Sequence, residues 1–136
     1  MDNIDELEGG KAKIVDNFII GTETAFSGQT GIVYIWDITE DKLVHISGSN
    51  FVLDATILNN EVYSLGLFHD SMHSSSFVLN KSKFGTMNAT ESEDVPFSVH
   101  FTADDYDGNL DHVSLFSKGN KLYLKLMNKE CQVVLK

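Results

Sequence analysis

The feature that most constrains the fold of this chain is the recurrence of apolar residues at every second position. Three leucines follow this period in Lys121–Met127, and Cys131 and its apolar neighbours continue it in Glu130–Lys136. Because successive side chains of a β-strand point to opposite faces, each segment is predicted to be a strand with one buried face. Asn128 and Lys129 between the two segments predict a two-residue hairpin turn.

The same period, or a short apolar run, marks strands along most of the chain. Alternating rows occur in Phe97–Thr102, Phe51–Ile57 and Val44–Ile46, whereas Ile32–Ile38 and Val62–Phe68 are apolar enough to be buried on both faces. Clusters of Gly, Asn, Asp and Ser separate these segments. About ten short strands at such close spacing predict an all-β fold of antiparallel hairpins, in a propeller-like, sandwich or barrel arrangement.

A weak internal repeat favours the propeller-like arrangement. Val52–Leu67 aligns with His112–Met127 without a gap, and Lys13–Gly21 is a candidate earlier copy. Each copy is a strand, an Asn-containing turn and a second strand, so a true repeat would be a blade of a propeller. The alternative is that unrelated hairpins simply resemble one another.

The segment Val33–Val44, in which Trp36 and Asp37 close a strand, resembles the end of a WD40 propeller blade. The Gly-His pair that this family carries upstream is missing, the motif occurs once, and 136 residues are too few for seven blades. The resemblance therefore supports a strand–turn–strand unit and does not assign the chain to that family.

Length and composition predict one soluble domain over residues 1–136, with residues 1–10 as a flexible acidic N-terminus. The longest apolar run, Ile32–Trp36, is too short to cross a bilayer, and the N-terminus lacks the apolar region of a signal peptide. Cys131 is the only cysteine, so no internal disulfide can form. These features predict a cytoplasmic protein without a membrane partner.

The formal net charge is −10, and all ten basic residues are lysines. Without arginine the chain lacks the bidentate donor that reads phosphates and guanine, and its acidic field repels polyanions. The charge therefore predicts no direct binding of nucleic acid. It favours a basic protein partner instead.

A lysine-free stretch from Phe84 to Ser117 concentrates the negative charge. If its acids share a face, they create a potential that speeds the encounter with a basic protein. An aromatic ring among carboxylates is a candidate anchor for such a partner. The predicted partner-binding residues are Glu91, Glu93, Asp94, Asp104, Asp105, Tyr106, Asp107 and Asp111. The alternative is that they form solvated loops that keep the protein soluble.

Two segments are weak candidates for metal binding. In the first, oxygen ligands stand at alternate positions as at the start of a calcium loop: Asp105, Asp107, Asn109 and Asp111. Leu110 replaces the glycine and Phe116 the final carboxylate that a complete EF-hand loop requires. The second candidate is the pair His69 and His73, whose spacing suits a metal when a helix aligns it. The sequence favours the alternative for both segments, which is a simple polar turn.

Motifs for catalysis are missing from the sequence. There is no nucleophile elbow, no Walker loop and no dinucleotide fingerprint. Cys131 lies on the apolar face of its predicted strand, where a thiol is buried and inert. We therefore expect no enzymatic activity and no cofactor.

These patterns favour a non-enzymatic binding protein. By size, acidity and poor motif content, the class that fits best is the immunity protein, which neutralises a basic, nuclease-type toxin by covering its cationic active-site cleft. One alternative is a metal-dependent enzyme or binding module centred on the His69–His73 or Asp105–Asp111 loop. Another is a subunit of a larger β assembly, because three repeats do not close a conventional propeller.

Overall fold

Three β-sheets account for most of the described residues, 8–25, 30–69 and 75–136 of a computed structural model. The first sheet has the order β1 (Glu8–Val15), β2 (Phe18–Ala25), β3 (Thr30–Asp37), β4 (Lys42–Asn50) and β8 (Met87–Asn88). The second has the order β5 (Val52–Leu58), β6 (Glu61–His69), β7 (Ser75–Lys83) and β9 (Glu93–Asp94). The third has the order β11 (Val113–Lys118), β12 (Lys121–Leu126), β13 (Lys129–Leu135) and β10 (Phe97–Ser98). All strand pairs except the parallel β4–β8 pair are antiparallel, which confirms the all-β prediction.

Each sheet contains one of the hairpins that the internal repeat predicted. Lys13–Gly21 lies in the β1–β2 hairpin, Val52–Leu67 in β5–β6, and His112–Met127 in β11–β12. All three hairpins turn through two residues, and each turn contains a residue in the left-handed region, such as Asn60 at φ +66° or Gly119 at φ +64°. Asn, Asp and Gly are the residues that adopt this conformation at least cost, so the repeated Asn-containing turn has a structural cause.

The first strands of the three repeated hairpins are β1, β5 and β11. They lie side by side and run in the same direction. The Leu115 N–H donates to the Asp54 carboxylate, and further along both strands the Ser117 hydroxyl donates to the Ile57 carbonyl, so β5 and β11 are parallel neighbours. Their hairpin turns therefore lie at one end of the molecule, here called the upper end. The opposite end, which holds the β12–β13 turn, is the lower end.

A buried ionic junction holds the first strands together. Asp54, on β5, is 2% exposed and accepts hydrogen bonds from the Leu115 N–H at 2.7 Å and from the Lys13 ammonium at 3.0 Å. Lys13 also donates to the Leu115 carbonyl, and Lys11 donates to the carbonyls of Leu110 and Val113. Burial lowers the pKa of Lys11. The two lysines of β1 thus donate hydrogen bonds to backbone carbonyls of β11 and of the residues just before it. Without these lysines, the carbonyls would lie unpaired at an open sheet edge.

The second sheet is the middle layer of the fold. One of its faces packs against the third sheet around Leu65, Leu79 and Leu124, and the other packs against the first sheet around Val52, Ala55 and Ile35. β5 is accordingly buried on both faces. The prediction that alternate residues of Phe51–Ile57 share one face is wrong, because a β-bulge between Val52 and Asp54 turns Leu53 to the third sheet while Ala55 faces the first.

Two other strand predictions need correction. Only Phe97 and Ser98 of the predicted Phe97–Thr102 strand pair with β13, although the predicted apolar residues of this segment do pack against the core. Ile32–Ile38 was expected to be buried on both faces, yet Trp36 is 40% exposed and Ile38 is 44% exposed. The outer face of the first sheet is apolar without being covered by any described element, a combination that alternation alone does not reveal.

His45 forms a second buried polar link, between the first and second sheets. Its Nδ1 accepts a hydrogen bond from the Gly85 N–H at 3.1 Å, so Nε2 carries the hydrogen of the neutral ring. Nε2 lies 2.9 Å from the Ser47 hydroxyl oxygen and 3.3 Å from that of Ser82. Burial lowers the pKa of His45 to about 4. The sequence did not predict this link, because the alternation of Val44 and Ile46 indicated that those two residues point inward.

We predict that Asp54→Ala lowers the free energy of unfolding by about 3–5 kcal/mol, because it leaves the Leu115 N–H without its acceptor and the ammonium groups of Lys11 and Lys13 without their counter-ion. Asp54→Asn keeps an acceptor oxygen and should cost less, about 1–3 kcal/mol. Urea denaturation measures both. As a control, Glu61→Gln removes a half-exposed ion pair with Lys81 and should cost under about 1 kcal/mol; equal losses in all three variants would contradict the junction's role.

The His45 link predicts a specific pH dependence. Since its folded pKa is about 4 and its unfolded value is 6.5, the stabilisation is complete above pH 6.5 and is lost as the pH falls from 6.5 to 4, by about 3 kcal/mol in all. The unfolding free energies of the wild type and His45→Gln should therefore converge by this amount over that range. His100→Gln, at an exposed position, is the control. A difference between wild type and His45→Gln that stays constant with pH would contradict the assignment.

Candidate functional site

The acidic stretch runs down the outside of the fold and then crosses its lower end. In chain order it contributes β8 to the edge of the first sheet, β9 to the second and β10 to the third. Two short 3₁₀ helices, Ala103–Asp105 and Leu110–His112, follow before β11 begins. The predicted partner-binding residues therefore fall into two groups. The edge group is Glu91, Glu93 and Asp94; the lower group is Asp104, Asp105, Tyr106, Asp107 and Asp111.

The edge group lies against the outer strands of the first and second sheets. All three of its side chains are exposed. Asp94 accepts a hydrogen bond from the Asn80 amide at 2.7 Å, and it also lines an apolar cleft of about 250 Å³ beside Pro96. Glu93 pairs in register with Lys81, whose pKa is raised chiefly by Glu61. Lys81 forms its ion pair with Glu61, and its charge acts only secondarily on Glu93.

Hydrogen bonds within the loop fix the lower group. The Asp105 carboxylate accepts from the Thr102 N–H at 2.8 Å. The Asp107 carboxylate accepts from the Asn109 N–H at 3.0 Å and lies 2.6 Å from His112 Nδ1. Side chains that hold successive backbone amides in this way stiffen a turn without regular structure. The four carboxylates of the group remain exposed, so they are presented to solvent from a defined backbone.

The contacts of Asp107 favour its ionised form. The hydrogen bond from the Asn109 N–H and then the contact with His112 lower the pKa of Asp107. None of the ion pairs within the described residues involves Asp104 or Asp111. This end of the molecule can therefore attract a cationic surface at neutral pH.

A cleft of about 360 Å³ lies beside the lower group, between the acidic segment and the β12–β13 turn. Its lining residues are His100, Phe101, Asp105, Leu126, Met127, Asn128 and Lys129. The lining combines an imidazole, a carboxylate and a lysine with apolar side chains, which suits one polar side chain of a partner. The sequence predicted this turn one residue late: it consists of Met127 and Asn128, with Met127 at φ +56°.

Tyr106 anchors the loop of the lower group to the hydrophobic core. Its ring packs against the core between the second and third sheets, and its buried hydroxyl has no hydrogen-bond partner among the described residues. Burial and then Asp107 raise the pKa of Tyr106 to about 12. The ring is partly exposed, so its role as a partner contact stays a prediction.

The metal candidates gain no support from the geometry. Among residues 8–25, 30–69 and 75–136, no group of three or more His, Cys, Asp or Glu side chains is placed to hold an ion. Asp105, Asp107 and Asn109 instead accept local hydrogen bonds. The His69–His73 pair lies outside the residues whose side chains are described.

The comparisons leave the site to be interpreted on its own chemistry. No family model, curated protein or solved structure matches this chain. Within the described part of the chain, no helix is long and apolar enough to cross a membrane.

We predict that Tyr106→Phe leaves the free energy of unfolding unchanged or raises it by up to about 1 kcal/mol, because it removes a buried hydroxyl that makes no hydrogen bond. Tyr106→Ala should lower it by about 3 kcal/mol or more, since it also removes the packed ring. Chemical denaturation compares the two. A loss of more than 1 kcal/mol in Tyr106→Phe would show that the hydroxyl has a partner.

Proposed function

We propose that this chain is a non-enzymatic binding protein that neutralises a basic protein, of the kind represented by immunity proteins against nuclease toxins. The observation that carries the proposal is the lower group. Its carboxylates are exposed and lie in a stretch without lysine, and those of Asp105 and Asp107 are held by hydrogen bonds from backbone amides before any partner arrives. Such preorganisation reduces the ordering cost of binding.

Carboxylates on a stiff loop suit the cleft of a nuclease. That cleft binds phosphates through lysine and arginine side chains, and carboxylates can occupy the positions of the phosphates. The cleft beside this loop, lined by His100, Asp105 and Lys129 among others, can accept one polar side chain of the partner. This proposal implies that the chain acts in the cytoplasm of the cell that produces the toxin.

The test is capture of a basic protein from cells of the source organism. The immobilised chain should retain such a protein at about 50 mM salt and release it at about 500 mM, since exposed charges are screened as ionic strength rises. The retained protein should have nuclease activity that the added chain suppresses. If no basic protein is retained at low salt, the proposal is wrong.

A pair of matched variants tests the lower group itself. Asp104→Asn/Asp111→Asn removes two exposed charges without altering the hydrogen bonds of Asp105 and Asp107, and should weaken binding about tenfold. Glu61→Gln/Glu130→Gln makes the same change of net charge on β6 and β13, outside the lower and edge groups, and should weaken it less than about twofold. Equal effects would mean that only net charge matters. Glu91→Gln/Glu93→Gln reports separately on the edge group.

A further inference from the structure

The outer face of the first sheet is apolar, and none of the other strands in the described ranges packs over it. The register places Ile14, Ile19, Trp36 and Leu43 in one row across β1–β4. Tyr34, Ile46 and Met87 form most of the next row. Ile14 is 70% exposed and Met87 is 55% exposed. The other face of the same sheet packs against the second sheet, so these residues are not needed to hold the two sheets together. We call them the first-sheet face.

Solvent-facing sides of antiparallel sheets are ordinarily polar. A contiguous apolar patch of this kind on a soluble chain marks an interaction surface more often than chance exposure does. With strands about 4.8 Å apart, the row from Ile14 to Leu43 spans about 14 Å. Trp36 stands on the middle strand of the five, and tryptophan at the centre of a patch is a frequent hot spot of binding energy.

The charges around the patch indicate what covers it. Its upper end carries the turn residues Asp16, Glu40 and Asp41, and its lower part carries Glu23 and Glu91. The three lysines of this sheet point elsewhere. Lys11 and Lys13 reach into the buried junction, and Lys42 stands in the row of Phe18, which packs toward the second sheet.

An acidic rim around an apolar centre is not complementary to itself. In a symmetric dimer through this face, the acids of the two copies would oppose each other, and like charges across an interface are costly. A partner with an apolar patch surrounded by lysine or arginine matches both the centre and the rim. This inference rests on the proposed function, which also requires a positively charged partner.

We infer that the first-sheet face is the docking surface for the basic protein partner. Trp36 and Ile14 enter its apolar patch, and the acidic rim meets its cations. The lower group then acts as a second, purely electrostatic contact at the other end of the acidic segment.

Short synthetic peptides test this inference without knowledge of the partner. An alternating Leu-Lys peptide presents an apolar face and a cationic one, an alternating Ser-Lys peptide keeps only the charge, and an alternating Leu-Glu peptide reverses the charge. Trp36 is the only tryptophan, so its emission reports on this face alone. The Leu-Lys peptide should shift the emission to the blue and bind at least tenfold more tightly than either of the others.

Two double variants locate the binding. Ile14→Thr/Ile19→Thr keeps β-branched residues in the strands and should weaken the Leu-Lys peptide tenfold or more. Val134→Thr/Leu135→Thr removes two comparably exposed apolar residues from the third sheet and should leave binding unchanged. Binding of the Leu-Lys peptide that survives Ile14→Thr/Ile19→Thr, or that causes no shift of Trp36 emission, overturns the inference.

Two further measurements separate the possible failures. Sedimentation velocity should find a monomer at low salt; a dimer that Ile14→Thr/Ile19→Thr dissociates would mean that a second copy covers the face. The Asp104→Asn/Asp111→Asn variant should retain the Leu-Lys binding and the Trp36 shift. If Ser-Lys and Leu-Lys peptides bind equally and both depend on Asp104 and Asp111, the proposed function stands and the docking surface does not.

Discussion

The junction between Asp54 and the two lysines of β1 decides how the three sheets are arranged. A buried carboxylate must find hydrogen-bond donors and positive charge, and Asp54 obtains both from outside its own sheet. The same lysines also satisfy backbone carbonyls of β11 and of the turn before it. One polar cluster therefore joins the first strands of all three sheets, and apolar packing extends outward from it on both faces of the second sheet.

This arrangement determines where the acidic stretch can go. The segment that links β7 to β11 pairs with the last long strand of each sheet, since β8 pairs with β4, β9 with β7 and β10 with β13. It adds one short strand to each sheet before it reaches the lower end. Seven acids thus remain on the surface, where the fold leaves them in water, instead of being distributed through the core.

The sequence was most informative where the cause is local. Period-two alternation and Asn-containing turns identified the β12–β13 hairpin and the three opening hairpins, because both depend on neighbouring residues only. It failed where distant segments decide. Lys11 and Lys13 alternate with apolar residues like any solvent-facing lysines, yet they reach residues about 100 positions away. The bulge at Leu53 and the burial of His45 likewise depend on packing between sheets that no local pattern records.

Because packing between sheets is not visible in the sequence, the distribution of charge predicted the lower group but not the first-sheet face. Acids without nearby lysines are visible in a sequence, and they led to the lower group. The run from Ile32 to Ile38 looked like an interior strand, because a sequence does not show which face of a sheet has a neighbour. Once the second sheet is seen to cover one face only, the exposed side of β3 needs another explanation. An apolar centre with an acidic rim supplies both contact area and charge, whereas isolated surface carboxylates supply charge that salt screens. A partner selected by both would be bound more specifically than one selected by charge, which is what an inhibitor that must ignore the cell's other basic proteins requires.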